Sequence, residues 1–190
     1  HDWYVLINLS SSSRSDEKLE EILSEAIQDE IINDAVIASN TSQANNLWNI
    51  REAVPLYQSA LGASIKHDIS IPISKVPEFI SQSSNIVKGK IPGIRVIAFG
   101  HLGDGNIHFN LSQPESMDAD SFLAERFLLN QLVYDIADDL GGSFSAEHGI
   151  GLLKREELTR YCSKTELDVM RKLKKTLDPK GIMNPQKLLK

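Results

Sequence analysis

Two histidines flank a turn signal near the middle of the sequence. His101 and His108 lie on either side of Asp104-Gly105, the dipeptide that a two-residue type I′ hairpin turn prefers because both positions need positive φ. Such a turn predicts that His101 pairs directly with His108 across two antiparallel strands. Directly opposed residues have Cβ atoms about 5 Å apart, so the two imidazoles could share one small ion. The pattern therefore predicts a metal site at the hairpin.

The predicted hairpin has one polar and one apolar face, as a half-buried antiparallel sheet requires. The polar face carries Phe99 and Asn110 together with the two histidines. The other face carries Val96, Ala98, Leu102, Ile107, Phe109 and Leu111. The alternative is that the histidines merely occupy the solvent side of a strand. Their opposition across a turn favours a functional site over that alternative.

A second pair of chemically capable residues, Glu147 and His148, lies in a loop bounded by glycines. Glu147 could add an oxygen ligand to the ion held by the two histidines. Two imidazoles, one carboxylate and an open position suit catalytic zinc, and also manganese or ferrous iron. His148 is a candidate proton acceptor because the ordinary pKa of histidine is about 6.5. The alternative for Glu147 and His148 is an ordinary surface loop.

Composition excludes several classes of protein. The chain has 190 residues, with 41% hydrophobic and 24% charged residues, which is typical of a globular domain. The net charge of -6 and the lack of a basic stripe argue against a nucleic-acid partner. No apolar run approaches the roughly 20 residues of a transmembrane helix. The single cysteine, Cys162, excludes an internal disulfide and fits a reducing compartment.

The hydrophobic pattern predicts the elements that must position these groups. Asp16 is predicted to cap the first helix, and Pro55 to interrupt the second. The predicted strands are residues 3–9, 35–38, 64–71, 95–101 and 106–112, and the further helices are 41–61, 74–87, 119–140, 152–161 and 165–176. This order predicts an α+β fold, with a ferredoxin-like antiparallel sheet, helices on one face and a helical C-terminal part at about residues 150–190. The other face would be bare unless another domain covers it.

Five segments in the same order resemble the C-terminal substrate domain of the FAD-linked 2-hydroxy acid dehydrogenases. This family includes D-lactate and D-2-hydroxyglutarate dehydrogenases and the flavin subunit of glycolate oxidase, within the vanillyl-alcohol oxidase superfamily. The segments are residues 47–52 (LWNIRE), 66–72 (KHDISIP), 100–110 (GHLGDGNIHFN), 147–151 (EHGIG) and 178–185 (DPKGIMNP). The resemblance covers nearly the whole chain.

The resemblance implies a metal centre and a base. His101, His108 and Glu147 are implied as ligands of a divalent metal, usually zinc. His148 is implied as the base that takes the substrate hydroxyl proton while the α-hydrogen leaves as hydride to the flavin. A metal-bound hydroxyl has a lowered pKa, so a neutral histidine can deprotonate it.

The resemblance also implies residues that bind the substrate and the cofactor. Arg51 and Lys66 are implied to hold the substrate carboxylate, and Asn110 to assist them. Asn184 resembles a residue that approaches the flavin. Without the family, Arg51 would be interpreted as part of a helix-surface ion pair and Lys66 as an exposed strand lysine.

The flavin-binding domain of this family lies N-terminal to the substrate domain, and nothing from His1 onward resembles it. We therefore expect residues 1–190 to be the substrate domain of a longer protein. It would oxidise a D-2-hydroxy acid to the 2-oxo acid only with its own N-terminal FAD domain. We expect a cytoplasmic protein, attached at most peripherally to the inner membrane, and mitochondrial in a eukaryote.

Two other functions fit part of the pattern. A metal-dependent hydrolase could use His101, His108 and Glu147 to activate water, with no need for a flavin. A non-catalytic ferredoxin-like module could bind a small acid or form a homodimer through its open sheet. The hydrolase does not account for Arg51, Lys66 or the Asn-Pro segment near the C-terminus.

Overall fold

The computed structural model describes the backbone of residues 1–10 and 15–189 and, within them, every side chain except those of residues 15 and 16. The chain divides into two compact units, His1–Tyr57 and Gln58–Lys190. The predicted cap Asp16 lies outside the residues whose side chains are described. None of the described helices is long and apolar enough to cross a membrane.

The first unit contains helix α1 (Ser15–Gln28) and most of helix α2 (Thr41–Ser59), which continues into the second unit. Pro55 lies inside α2 without ending it. The predicted strands at residues 3–9 and 35–38 are wrong, because both segments are irregular. Trp3 is 63% exposed and Val36 is 74% exposed. A short apolar run forms a stable strand only where a partner strand takes up its backbone hydrogen bonds, and neither segment has such a partner among the described residues.

The second unit contains an antiparallel sheet of four strands. They are β1 (Ser64–Ile65), β2 (Asp68–Ser70), β3 (Arg95–His101) and β4 (Asn106–Ser112). Strand β4 is central: it pairs with β3 on one side and with both β1 and β2 on the other. The predicted strand 64–71 is therefore interrupted at residues 66–67. A single antiparallel bridge joins Ser70 to Ser143 beyond β2.

Helices cover one face of this sheet. They are α3 (Val76–Lys90), α4 (Ala119–Ala124), α5 (Arg126–Asp139), α6 (Arg155–Tyr161) and α7 (Lys164–Leu177). The predicted helix 119–140 is divided at Glu125, and α7 begins with a capping box formed by Ser163 and Glu166. Helices α6 and α7 form the predicted helical C-terminal part, although α6 begins later than expected.

The hydrophobic core lies between the apolar face of the sheet and helices α3 and α5. Ile107, Phe109 and Leu111 of β4 are buried in it. The rings of Phe109 and Phe79 meet edge to face at 5.4 Å. Side chains of this size each contribute about 1.5–3 kcal/mol when fully buried. The α+β class, with an antiparallel sheet that has helices on one face, is confirmed.

The hairpin has the predicted strand bounds but a different register. Phe99 lies opposite His108 and His101 opposite Asn106, so the predicted direct pairing of the two histidines is wrong. The reason is the turn. Residues 102–104 form a 3₁₀ turn that Gly105 closes in the left-handed conformation, with φ 72°.

Asp104 accounts for this turn, because its Oδ1 accepts a hydrogen bond from the backbone N–H of Asn106 at 3.1 Å. The register therefore shifts by two residues. A shift of two keeps each side chain on its face, whereas a shift of one would reverse them. His101 and His108 consequently still share the polar face. Leu102 leaves the apolar face and is 49% exposed in the turn.

Candidate functional site

A cluster of acidic and imidazole groups forms where strands β2 and β4 meet the loop that follows α5. Asp68, His108 and Glu147 each bring one potential ligand atom to within 4.8 Å of the other two. Asp68 lies directly opposite His108 in the ladder. Glu147 reaches them from a loop about 80 residues further along the chain than Asp68. Imidazole nitrogens and carboxylate oxygens are the donor set of zinc, manganese and ferrous iron, so these residues fit a divalent metal.

His101 joins the cluster through Glu147 rather than through His108. His101 Nδ1 lies 3.2 Å from Glu147 Oε1, and both side chains are about half exposed. The other carboxylate oxygen, Glu147 Oε2, lies 4.0 Å from His108 Nε2. Glu147 thus has one oxygen towards each histidine. Each imidazole therefore lies near Glu147, whereas the three donors that meet within 4.8 Å of one another include Asp68 in place of His101.

His108 is the more buried of the two hairpin histidines. Its side chain is 18% exposed, and its ring packs on Phe99 with the ring centres 5.0 Å apart. Burial lowers the pKa of His108 below its ordinary value, although the nearby carboxylates of Asp68 and Glu147 oppose that shift. The ring is therefore neutral at pH 7, which is the form that binds a metal ion.

Asp68 was not singled out by the sequence patterns, and it is buried, with only 3% of the residue exposed. Its Oδ2 accepts the backbone N–H groups of Glu147 at 2.9 Å and of His148 at 2.7 Å. Its Oδ1 accepts the side-chain amide of Asn106 at 2.9 Å. Burial alone would raise the pKa of Asp68, but the hydrogen bonds from His148 and Asn106 hold it below the ordinary value. Asp68 is therefore ionised throughout the neutral range.

The sequence did contain a feature that could have identified Asp68 as a site residue. The residue lies inside the segment 66–72, beside the candidate Lys66. What the sequence lacked was the pairing of β2 with β4, which places Asp68 opposite His108.

His148 lies at the edge of the cluster with an exposed ring. Its side chain is 67% exposed, and its Nδ1 is 3.5 Å from Asp68 Oδ2. The ring centres of His148 and His108 are 6.4 Å apart. His148 is therefore an accessible imidazole beside the candidate metal ligands.

Further hydrogen bonds fix the loop that carries Glu147 and His148. The backbone N–H of Ala146 donates to the carbonyl of Asp68 at 3.1 Å. Ser145 Oγ donates to the carbonyl of His148, and Lys154 Nζ donates to Ser145 Oγ at 2.9 Å. Burial lowers the pKa of Lys154. The loop is thus held from the sheet on one side and from the segment before α6 on the other.

Asn110 lies on the same face of β4 as His108, two residues further along. It is buried, and its Nδ2 donates to Gln58 Oε1 at 2.8 Å. Two atoms of this pair, Asn110 Oδ1 and Gln58 Nε2, are buried without a partner among the described residues. A buried acceptor and a buried donor left side by side suit a ligand that offers both groups, such as a hydroxyl. Gln58 is a second residue that the sequence patterns did not single out.

The remaining candidates lie in other segments of the chain. Arg51 lies on α2 within the first unit and is half-buried. Lys66 is exposed between β1 and β2. Asn184 is exposed in the segment after α7 and adopts a positive φ of 44°. Within the described part of the chain, its side chain makes no hydrogen bond or ion pair to the cluster.

Comparison with known proteins supplies the context of this site. A family model described as "FAD linked oxidases, C-terminal domain" matches residues 1–188. The D-2-hydroxyglutarate dehydrogenase of Stutzerimonas stutzeri is 34% identical over 189 residues, which are 98% of this chain and 40% of that protein. The mitochondrial D-2-hydroxyglutarate dehydrogenase of Arabidopsis thaliana is 36% identical over 191 residues, covering 99% of this chain and 33% of that protein.

A third relative is named for a different activity. The D-2-hydroxyglutarate–pyruvate transhydrogenase of Saccharomyces cerevisiae is 32% identical over 198 residues, covering 100% of this chain and 39% of that protein. The chain thus spans only 33% to 40% of the length of these curated relatives.

Proposed function

Because the chain belongs to the FAD-linked oxidase C-terminal domain family, we propose that it is the substrate- and metal-binding part of a flavin-dependent dehydrogenase. That enzyme oxidises a D-2-hydroxy acid to the 2-oxo acid. Residues 1–190 act with an N-terminal FAD-binding part, which this chain does not resemble. The observation that carries the proposal is that Glu147 lies near both His101 and His108, beside the exposed ring of His148.

His101, His108 and Glu147 hold the divalent ion, which we propose to be zinc. Their imidazole and carboxylate donors fit such an ion, and one position remains for substrate. Asp68 is less suited to be a ligand, because three N–H donors already occupy its two oxygens. When bound, the ion lowers the pKa of the substrate hydroxyl, and FAD accepts the hydride.

His148 takes the hydroxyl proton at an imidazole nitrogen. Its ring is exposed, so a substrate can reach it, and its loop is hydrogen-bonded to Asp68. Imidazole is the side chain most often used for proton transfer near neutral pH.

Arg51 and Lys66 bind the substrate carboxylate. The planar guanidinium of Arg51 can donate two parallel hydrogen bonds to it, and Lys66 adds a point charge. Asn110 contributes an amide, and its orientation is set by the hydrogen bond to Gln58. Asn184 approaches the flavin from the segment after α7.

The names of two of the relatives above suggest which substrate to test first. Both are called D-2-hydroxyglutarate dehydrogenases, so D-2-hydroxyglutarate is the first acid to test. The name of the plant relative includes the word mitochondrial. We propose the mitochondrion as the location in a eukaryote and the cytoplasm in a bacterium.

The proposal is tested on the complete flavoprotein that contains this chain. A dye acceptor is supplied with D-2-hydroxyglutarate, D-lactate or glycolate, with the L-enantiomers of the first two as controls. We expect reduction of the dye with a D-acid and loss of activity with a chelator that zinc reverses. Ester or amide hydrolysis by the zinc-loaded chain, without dye reduction by any hydroxy acid, would contradict the proposal and favour a hydrolase.

A further inference from the structure

We propose that Asp68 is a positioning residue that sets the orientation and tautomer of both His108 and His148. This inference rests on the proposed function, in which His108 is a metal ligand and His148 is the base. Asp68 would touch neither the ion nor the substrate. It would act through the two imidazoles on either side of it.

The first support is the burial and hydrogen bonding of the Asp68 carboxylate. An ionised carboxylate is only an acceptor and offers about four lone-pair positions. Three of these positions accept N–H donors at 2.9 Å or less, from Asn106, Glu147 and His148. The carboxylate therefore has a fixed direction, and little of its capacity remains for an ion.

The second support is that both rings present the same nitrogen to this carboxylate. His108 Nδ1 lies 3.7 Å from Asp68 Oδ1, and His148 Nδ1 lies 3.5 Å from Asp68 Oδ2. These distances are longer than a formed hydrogen bond, as is common in catalytic sites before a ligand is bound. The position that remains is on Oδ1 and can accept an Nδ1–H of His108. Oδ2 already accepts two N–H groups, so it acts on the His148 ring through its negative charge, which favours a proton on the nearer nitrogen, Nδ1.

The consequence is the same for both rings: a proton on Nδ1 leaves the lone pair on Nε2. His108 Nε2 is the nitrogen that lies on the side of Glu147, at 4.0 Å from Oε2. For His108 the free lone pair is what a metal requires, and a carboxylate behind a ligating imidazole raises its basicity. For His148 it provides the atom that accepts the substrate proton.

The third support is that Asp68 also places the loop. Its Oδ2 accepts the N–H of Glu147, its carbonyl accepts the N–H of Ala146, and both hydrogen bonds join β2 to a segment distant in sequence. Asp104 offers a contrast within the same site. That carboxylate is exposed in the hairpin turn and, within the described part of the chain, accepts only the N–H of Asn106.

The first test needs no substitution. The 190-residue chain, with ¹⁵N in its histidines, is studied by two-bond ¹H–¹⁵N NMR at pH 7.5, without metal and with zinc. We expect the Nδ1–H tautomer for both His108 and His148. A predominant Nε2–H tautomer in either ring overturns the proposal, whatever the affinity for zinc.

The second test compares Asp68→Asn with its matched control Asp104→Asn. Zinc affinity is measured against a chelating dye, and Co²⁺ serves as a spectroscopic substitute. We expect D68N to weaken zinc binding by about 10- to 100-fold, which is typical when a residue that hydrogen-bonds to a metal ligand is replaced. Its Co²⁺ absorption bands should stay as in the unsubstituted chain, while the Nδ1–H preference of His148 is lost. D104N should leave the zinc affinity, the Co²⁺ absorption bands and the His148 tautomer unchanged.

The outcomes separate this proposal from the one on which it rests. The Co²⁺ spectrum of Glu147→Gln serves as the reference for loss of a ligand. If D68N changes the Co²⁺ absorption bands in the same way, Asp68 is itself a ligand and the positioning role is overturned. Unchanged affinity and tautomers in D68N overturn it as well. If the unsubstituted chain binds no zinc, the proposal of a metal site at His101, His108 and Glu147 is wrong. The tautomer of His148 then decides by itself whether Asp68 positions the base. A D68N variant that fails to fold leaves the tautomers of the unsubstituted chain as the deciding measurement.

Discussion

The backbone N–H of His148 donates a hydrogen bond of 2.7 Å to Asp68 Oδ2, which joins residues 80 positions apart in the sequence. The neighbouring N–H of Glu147 donates to the same oxygen. One buried carboxylate on the sheet therefore fixes the two loop residues that carry a candidate ligand and a candidate base. The geometry of the site depends on this link as much as on the hairpin that contains the two other histidines.

Substitution of the candidate ligands should reduce metal affinity. His108→Ala and Glu147→Gln each remove an atom that would bind the ion. We therefore expect a loss of zinc affinity larger than the loss of about 10- to 100-fold that follows replacement of a residue hydrogen-bonded to a ligand. His101→Ala should act in the same way. His1→Ala is the control, because that histidine lies in the first unit. Titration against a chelating dye gives the affinities, and unchanged affinity in both hairpin variants would favour a non-catalytic module.

The turn glycine should be indispensable to the hairpin. Gly105 has φ 72°, and a Cβ there would lie 2.0 Å from the carbonyl oxygen of Ile71. We expect Gly105→Ala to lower the free energy of unfolding by about 1–3 kcal/mol or more, the usual cost of a strained backbone position. Gly103→Ala is the matched control, because a Cβ at Gly103 meets nothing within 4 Å. Urea unfolding followed by circular dichroism measures both, and equal midpoints would contradict the observed turn.

The chain should lose stability in acid because of His67. This residue is buried, and its Nδ1 donates to the carbonyl of Phe109 at 2.6 Å. Burial lowers the pKa of His67 from 6.5 to about 4. The neutral ring is thus favoured in the folded state, so the contribution to stability is complete above pH 6.5 and is lost as the pH falls towards 4.

The expected size of this loss is about 3 kcal/mol in the free energy of unfolding, from the shift in pKa. It is measured by urea unfolding between pH 7.5 and 4 with a chelator present. His67→Asn keeps an N–H donor near the Phe109 carbonyl but does not titrate. We expect that variant to be less stable at neutral pH and to have a shallower pH dependence, and an equal slope would contradict the role of His67.

The strand that carries His108 and Asn110 should depend on Phe109 for its position. Phe109 is fully buried against Phe79. We expect Phe109→Ala to lower the free energy of unfolding by about 3–5 kcal/mol, as in other cores. Phe127→Ala is the matched control, because that ring is 69% exposed, and its effect should be within about 0.5 kcal/mol. A comparable loss in the two variants would show that the core lies elsewhere.

Arg51 should matter for turnover rather than for metal binding. In the complete flavoprotein, Arg51→Lys keeps the charge but removes the planar fork, so kcat/KM for a D-2-hydroxy acid should fall by about 10- to 100-fold. Zinc affinity should be unchanged. Arg171→Lys, on exposed α7, is the control. Full activity of the Arg51 variant would remove this residue from the substrate site.

Sequence patterns were most successful where alternation was regular. The strands 95–101 and 106–112 have the predicted bounds. Polar and apolar residues alternate strictly in 106–112, whereas 95–101 is a largely apolar run between Arg95 and His101 that pairs with it across the turn. The register was wrong because the pattern Asp104-Gly105 suits two kinds of turn. Asp104 uses its side chain to accept the N–H of Asn106, so a four-residue loop replaces the two-residue one.

Relationships between distant segments were not visible in the sequence. Asp68 becomes part of the site only because β2 pairs with β4, and Gln58 only because α2 ends beside Asn110. Residues 3–9 form an apolar run rich in strand-favouring residues but no strand, since composition indicates a preference and not a partner. Short-range patterns thus predicted the donor types of the site, and long-range pairing determined which groups meet.

The metal centre is tested most directly by a crystal structure of the zinc-loaded chain, with anomalous data collected on both sides of the zinc edge. We expect one strong anomalous peak bonded to His101, His108 and Glu147 at about 2.0–2.2 Å, with Asp68 hydrogen-bonded behind His108 and outside bonding distance of the ion. A fully loaded crystal with no peak at these residues, or with the ion bound elsewhere, would contradict the proposed function.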